Sequence, residues 1–299
     1  MKDKIMNSGF GIGNLVFIAA VILALPLRIY QYVGNVIEPV TGFFVKTDWS
    51  IYALYGILIV ASLAIVALGF IKRKTLSYDL KAEKRIGFGV ISGLVAASMI
   101  IDSFGCLETV KNLETAINAD ATSPEHTTYY VTIVQIVFAF LSALYFVILC
   151  IGSLTGKTAA AEFKLVSLFP VFWAMLRMVA RFMRTISYVR VSELMFEMLM
   201  LMFLIMFFMA FAQCNSKVND SDCQWKIAAY GLPAALLALV CFVPRAILAI
   251  IGNADDIYTQ STLEFSDLAV ALFIVATVLT RVTLNTSETT EETAIKTEE

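Results

Sequence analysis

Arg177, Arg181 and Arg184 stand four and three residues apart in FWAMLRMVARFMR, a stretch that otherwise reads as a membrane helix. At about 100° per residue, these spacings put all three on one stripe roughly 60° wide. A guanidinium is always charged, planar and able to donate two parallel hydrogen bonds, so it suits capture of a carboxylate or phosphate. Arg28 and Arg245 extend the positive set, while Asp102, Glu193, Glu197, Glu264 and Asp267 oppose it. Taking Lys164 as one edge of the helix, a 1.5 Å rise puts Arg177 about 20 Å in, Arg181 about 26 Å and Arg184 about 30 Å. The last two reach the far boundary of a hydrocarbon core about 30 Å thick and can snorkel to it. Arg177 has no such escape. Measured from Arg281, Asp267 lies about 21 Å deep on its own helix, so Arg177 and Asp267 are expected to meet or to share a wet cavity.

Two readings follow. In one, an outward-facing vestibule uses Arg177, Arg181, Arg184 and Arg245 to attract and bind a small anionic solute, with Asp267 holding Arg177 or carrying a proton. In the other, the ten charges form a belt of salt bridges closing one end of a bundle. Three arginines running into the interface are too few to cross the field as a voltage sensor would. Catalysis has little support. HExxH, GxSxG and paired Cys/His motifs are missing, and Glu193 and Glu197, one helical turn apart, are the single candidate acid pair. No catalytic residue, cofactor or metal ligand is nominated. GFGIG lacks the spacing and strand-turn-helix setting of a dinucleotide loop, and His126 is the one histidine, with no second ligand nearby.

The elements that position these charges are set by composition. Of 299 residues, 59% are hydrophobic and 15% charged, and the mean hydropathy is +0.81. Soluble domains are nearer half apolar and a quarter charged, so the composition is that of a membrane protein. A net charge of -2, with no long basic stretch, argues against nucleic acid. A bilayer-crossing helix needs about 20 apolar residues. Candidate spans fall near 9–30, 49–71, 86–105, 127–152, 164–184, 193–213, 226–249 and 263–282. The N-terminal span has 23 uncharged residues, Ile5 to Leu27, too many for a cleaved signal core.

The connection KRKTLSYDLKAEKR holds six basic residues and marks the cytoplasmic side. Alternation then places both termini inside the cell, with 14 of the 22 Lys and Arg in cytoplasmic segments. Each outward connection ends in a helix-start signal: Asp48, Ser123-Pro124-Glu125, Ser192-Glu193, and Ser261 with Glu264. Gly9/Gly13 and Gly89/Gly93 fit small-residue helix contacts. GFG opens both the first and third spans, a weak echo of duplication. Cys214 and Cys223 flank a connection on the cytoplasmic side, so free thiols are expected there. Cys106 to Tyr129 reads as an outer loop.

The sequence therefore predicts an all-α polytopic integral membrane helix bundle. About eight transmembrane helices form four up-down hairpins over residues 1–283, and 284–299 form a disordered acidic cytoplasmic tail. The expected setting is the cell membrane, multi-pass, with the lipid bilayer as the main partner. The expected function is a transporter or permease component for a small anionic solute. The alternatives are a non-transporting sensor, regulatory or assembly subunit with a membrane protein partner, and a membrane-embedded enzyme acting on lipid headgroups.

Overall fold

A computed structural model describes residues 10–34, 36–37, 44–78, 84–119, 125–156, 164–183, 191–216, 220–251 and 264–284. Among these are eight α-helices: α1 Gly11–Val33, α2 Trp49–Ile71, α3 Ile86–Ala119, α4 Glu125–Thr155, α5 Phe169–Met183, α6 Val191–Asn215, α7 Asp220–Ile251 and α8 Phe265–Arg281. Two short strands, β1 Leu76–Tyr78 and β2 Val282–Leu284, pair antiparallel. The all-α membrane bundle expected from hydropathy is what forms. Seven stretches are long and apolar enough to cross a bilayer. The eighth helix, α8, has 17 residues and a length of about 26 Å, just short of that measure.

Local sequence explains the helix ends. Asp48 Oδ1 accepts the Ser50 amide at 3.1 Å and starts α2 as expected. Pro170 stands in the first turn of α5, where a missing N–H costs nothing. Ser123, Pro124 and Ser261, also read as start signals, lie outside the described residues, as do Gly9 and the tail 285–299.

Hydropathy also orders the packing. The helices adjacent in sequence pack as pairs, and α7 lies at the centre, touching α1, α2, α6 and α8. Of its apolar window 67% is buried, against 28% for α2, which makes α7 the core and α2 a lipid-facing helix. Phe146 of α4, Phe207, Phe208 and Phe211 of α6 and Phe273 of α8 are all at most 1% exposed and contact one another in edge-on, tilted and stacked pairs across the mid-bundle. Ile22, Leu23, Ile59, Val60 and Leu63 are exposed on the outside. So large an apolar belt belongs in lipid. The methionine-rich run of α6 divides accordingly, Met200 inward and Met202, Met206 and Met209 outward. Close approach is enforced at Gly89, where a Cβ would stand 2.9 Å from Leu154 Cγ and 3.3 Å from the Cys150 carbonyl. That contact binds α3 to α4 as the Gly89/Gly93 spacing predicts.

Three expectations are corrected. The supposed outer loop Cys106 to Tyr129 is largely helical: α3 runs on to Ala119 and α4 starts at Glu125, so His126 is a helix residue. These helices of 34 and 31 residues are about 51 Å and 46 Å long, well beyond a bilayer core. Cys214 and Cys223 are bonded, not free, because the short α6–α7 turn brings their Cα atoms to 5.9 Å, within disulfide range. Finally, the β1–β2 ladder extends order one residue past the expected tail boundary, to Leu284. Cys106, Cys150 and Cys241 remain as thiols. Denatured without reductant, the purified protein should bind three maleimides by intact mass, and five after reduction. Five before reduction would contradict the pairing.

Candidate functional site

Helical periodicity delivers the charges two at a time. Arg177 and Arg181 are one turn apart on α5, Glu193 and Glu197 one turn apart on α6, and Glu264 and Asp267 are three apart at the start of α8. Single members come from α7 (Arg245, beside Pro244) and α1 (Arg28). All of these except Glu264 are buried, with exposures of 2% for Arg177, 6% for Arg245 and 7% for Arg181.

They form one continuous chain of ion pairs. The Arg177 fork grips Asp267 with two bonds, Nη1–Oδ1 at 2.6 Å and Nη2–Oδ2 at 2.9 Å. Arg177 also contacts Glu264, which accepts Arg181 Nη2 at 2.7 Å. Arg181 Nε lies 3.5 Å from Glu197, and Glu197 accepts Arg245 Nη1 at 2.8 Å. Arg245 Nη2 reaches Glu193 at 3.2 Å. Glu193 ends the chain against Arg28 at 3.9 Å and the Tyr32 hydroxyl. Four guanidiniums thus meet four carboxylates, and Glu264, Glu197 and Glu193 each bridge two arginines.

The flanks are polar and aromatic. Arg28 donates to Gln31 Oε1 at 3.0 Å and lies over the rings of Tyr32 and Phe196. Gln31 in turn donates to the Ser50 carbonyl at 3.0 Å, tying α1 to α2. Trp173 lies under Arg177, 5.6 Å from its carbon to the ring centre. Asp102 plays a different part: its two oxygens accept the Phe265 and Ser266 amides at 3.1 and 2.7 Å. A carboxylate on α3 therefore caps α8, leaving Glu264, the N-terminal flanking residue, to serve the arginines. Asp102, Gln135, Arg177 and Glu264, together with apolar Met99, Ile136 and Trp173, line a small cleft with room for about one water molecule.

Of the five site residues expected from sequence, Arg177, Arg181, Arg245 and Asp267 join this one network, and Arg184 lies outside the described residues. The expected meeting of Arg177 with Asp267 is found. Arg181 does not snorkel outward but turns inward to Glu264 and Glu197. Gln31, Tyr32 and Asp102 in its capping role were missed. The first two sit three and four residues from Arg28, a helical spacing that could have flagged them. Among the described residues no His, Cys, Asp and Glu group is arranged to hold a metal ion.

No family model, curated protein or solved structure matches this chain. The site is therefore read from its own chemistry.

Removing one partner of a buried pair leaves a bare charge and costs about 3–5 kcal/mol, whereas apolar replacement of both is often neutral. Arg177→Met and Asp267→Leu should each lower the unfolding free energy by that order, and the double variant should recover most of the loss. Chemical denaturation in mild detergent measures it. A plain sum of two losses would contradict coupling across the pair.

Proposed function

We propose that this multi-pass protein is a transporter or permease component for a small anionic solute, with the ion-pair network as the gate at its charged end. The observation that carries the reading is the sharing of carboxylates: Glu264, Glu197 and Glu193 each serve two arginines. An incoming carboxylate or phosphate can take one place on an Arg fork while the displaced glutamate keeps its second partner. Partner exchange thus opens the network without leaving a bare guanidinium in low dielectric. Arg177 is the anchor for the solute, Arg181 and Arg245 attract it, and Asp267 holds Arg177 in the closed state. The end bearing the β1–β2 sheet is the cytoplasmic one in this reading, because the basic connection 72–85 lies there. Cys214 and Cys223, each 1% exposed, are then shielded by burial from reducing thiols.

A second reading, a sensor or assembly subunit that moves nothing, is favoured by one specific feature. Every guanidinium of the network already has a carboxylate partner, and the adjoining cleft has room for about one water. Lipid-headgroup chemistry by Glu193 and Glu197 has less support, since Arg245 engages both.

Purified protein in sealed vesicles should accumulate at least one of a panel of labelled small carboxylates and phosphates. Arg177→Gln, if still monodisperse and helical, should lower that uptake at least tenfold. No uptake of any anion, together with a membrane partner that co-purifies in stoichiometric amount, would overturn transport in favour of the second reading.

A further inference from the structure

Glu193, Glu197, Glu264 and Asp267 each lie against at least one guanidinium, but Asp102 has no ion-pair partner among the described residues. Its charge is met by backbone. Oδ1 accepts the Phe265 amide at 3.1 Å and Oδ2 the Ser266 amide at 2.7 Å. The positive end of the α8 dipole adds roughly half an elementary charge. A carboxylate in an apolar bundle without a full countercharge is the one most cheaply neutralised by a proton.

A place for that proton to arrive is present. Asp102 is half-buried and lines the water-sized cleft. The other ionisable groups around the cleft are Glu264 of α8, Arg177 of α5 and Cys106 of α3 itself, while α4 contributes Gln135. Asp267, also on α8, is turned into the Arg177 fork. Arg177 is thus already shared between Asp267 and Glu264, and Asp102 is left to the α8 amides.

Protonation changes what the cap can do. As a carboxylate, Asp102 offers two acceptor oxygens; as an acid it keeps one and gains an O–H donor. One α8 amide then loses its acceptor, and the attraction to the helix dipole goes with the charge. Asp267 stands in the same first turn and Glu264 flanks it. Loosening that turn therefore draws both carboxylates away from Arg177 and Arg181.

We propose that Asp102 is a proton-binding site, and that proton uptake there uncaps α8 and releases the arginine network. The charged form is the capping form. The latch is therefore closed above the pH at which Asp102 takes its proton and opens below it. This inference rests on the geometry around Asp102 and stands whether or not the protein transports.

Infrared difference spectra of the full chain in detergent, recorded from about pH 8 to about pH 4, read the carboxyl C=O band. Wild type should gain a band on acidification that Asp102→Asn lacks and Asp102→Glu retains. Asn keeps one acceptor oxygen and no charge, so it stands in for the protonated side chain at constant pH. Hydrogen exchange by mass spectrometry at a single neutral pH should find residues 265–270 exchanging several-fold faster in Asp102→Asn than in wild type, with 232–240 of α7 unchanged. If Asp102→Asn fails to fold, Asp102→Glu carries the test, and the midpoint of its band must differ from that of wild type. Identical acid-induced spectra in wild type and Asp102→Asn, equal exchange of the α8 first turn in the two proteins, or an unmoved midpoint in Asp102→Glu would overturn the proposal.

Discussion

A guanidinium buried among apolar helices must be met by an acceptor, and the rest of this structure depends on that constraint. Arg177 cannot shed its charge and is only 2% exposed, so α8 must bring Asp267 to it and α5 must turn the same face that carries Arg181. Each further link repeats the demand, from Arg181 to Glu197 of α6, to Arg245 of α7, to Glu193 and to Arg28 of α1. Five helices are thereby held in one relative register at one end of the bundle. Apolar contacts alone would permit sliding, because lipid tails are as apolar as the side chains they replace.

The two ends are built on different principles. The charged end is specified by directional pairs, supported by Asp102 capping α8 from α3 and by Gln31 reaching the Ser50 carbonyl on α2. The mid-bundle is a layer of phenylalanines, specified by shape, and Gly231 lets α7 come close enough that a Cβ would sit 2.8 Å from Ile274 and 2.9 Å from Phe207. At the sheet end a three-residue ladder and a disulfide fasten the α2–α3 connection, the end of α8 and the α6–α7 turn. A network whose carboxylates are shared can rearrange partner by partner. A close-packed aromatic layer has no comparable freedom.

What was legible in the sequence follows from what each signal measures. Hydropathy locates the eight described helices because bilayer crossing demands predominantly apolar length, and rise per residue alone brings Arg177 and Asp267 to one depth. The same hydropathy failed on Cys106 to Tyr129, since it reports transfer into lipid and not helix formation. LETVKNLETAINA is polar yet rich in good helix formers, so α3 continues past the bilayer. The Asp102 cap was illegible because a cap supplied by another helix has no local spacing. Three-residue strands leave no periodicity to count. The cysteine pair is legible in its nine-residue separation, which keeps the two thiols near each other whichever compartment they face.

The central claim is that the arginines of the charged end are closed onto their own carboxylates, not displayed in an open vestibule. Modification of the folded protein with phenylglyoxal, read arginine by arginine by mass spectrometry, tests it most directly. Arg28, Arg177, Arg181 and Arg245 should stay unmodified while exposed Arg73 reacts, and all should react after unfolding. Rapid modification of Arg177 and Arg245 in the folded protein would contradict the account.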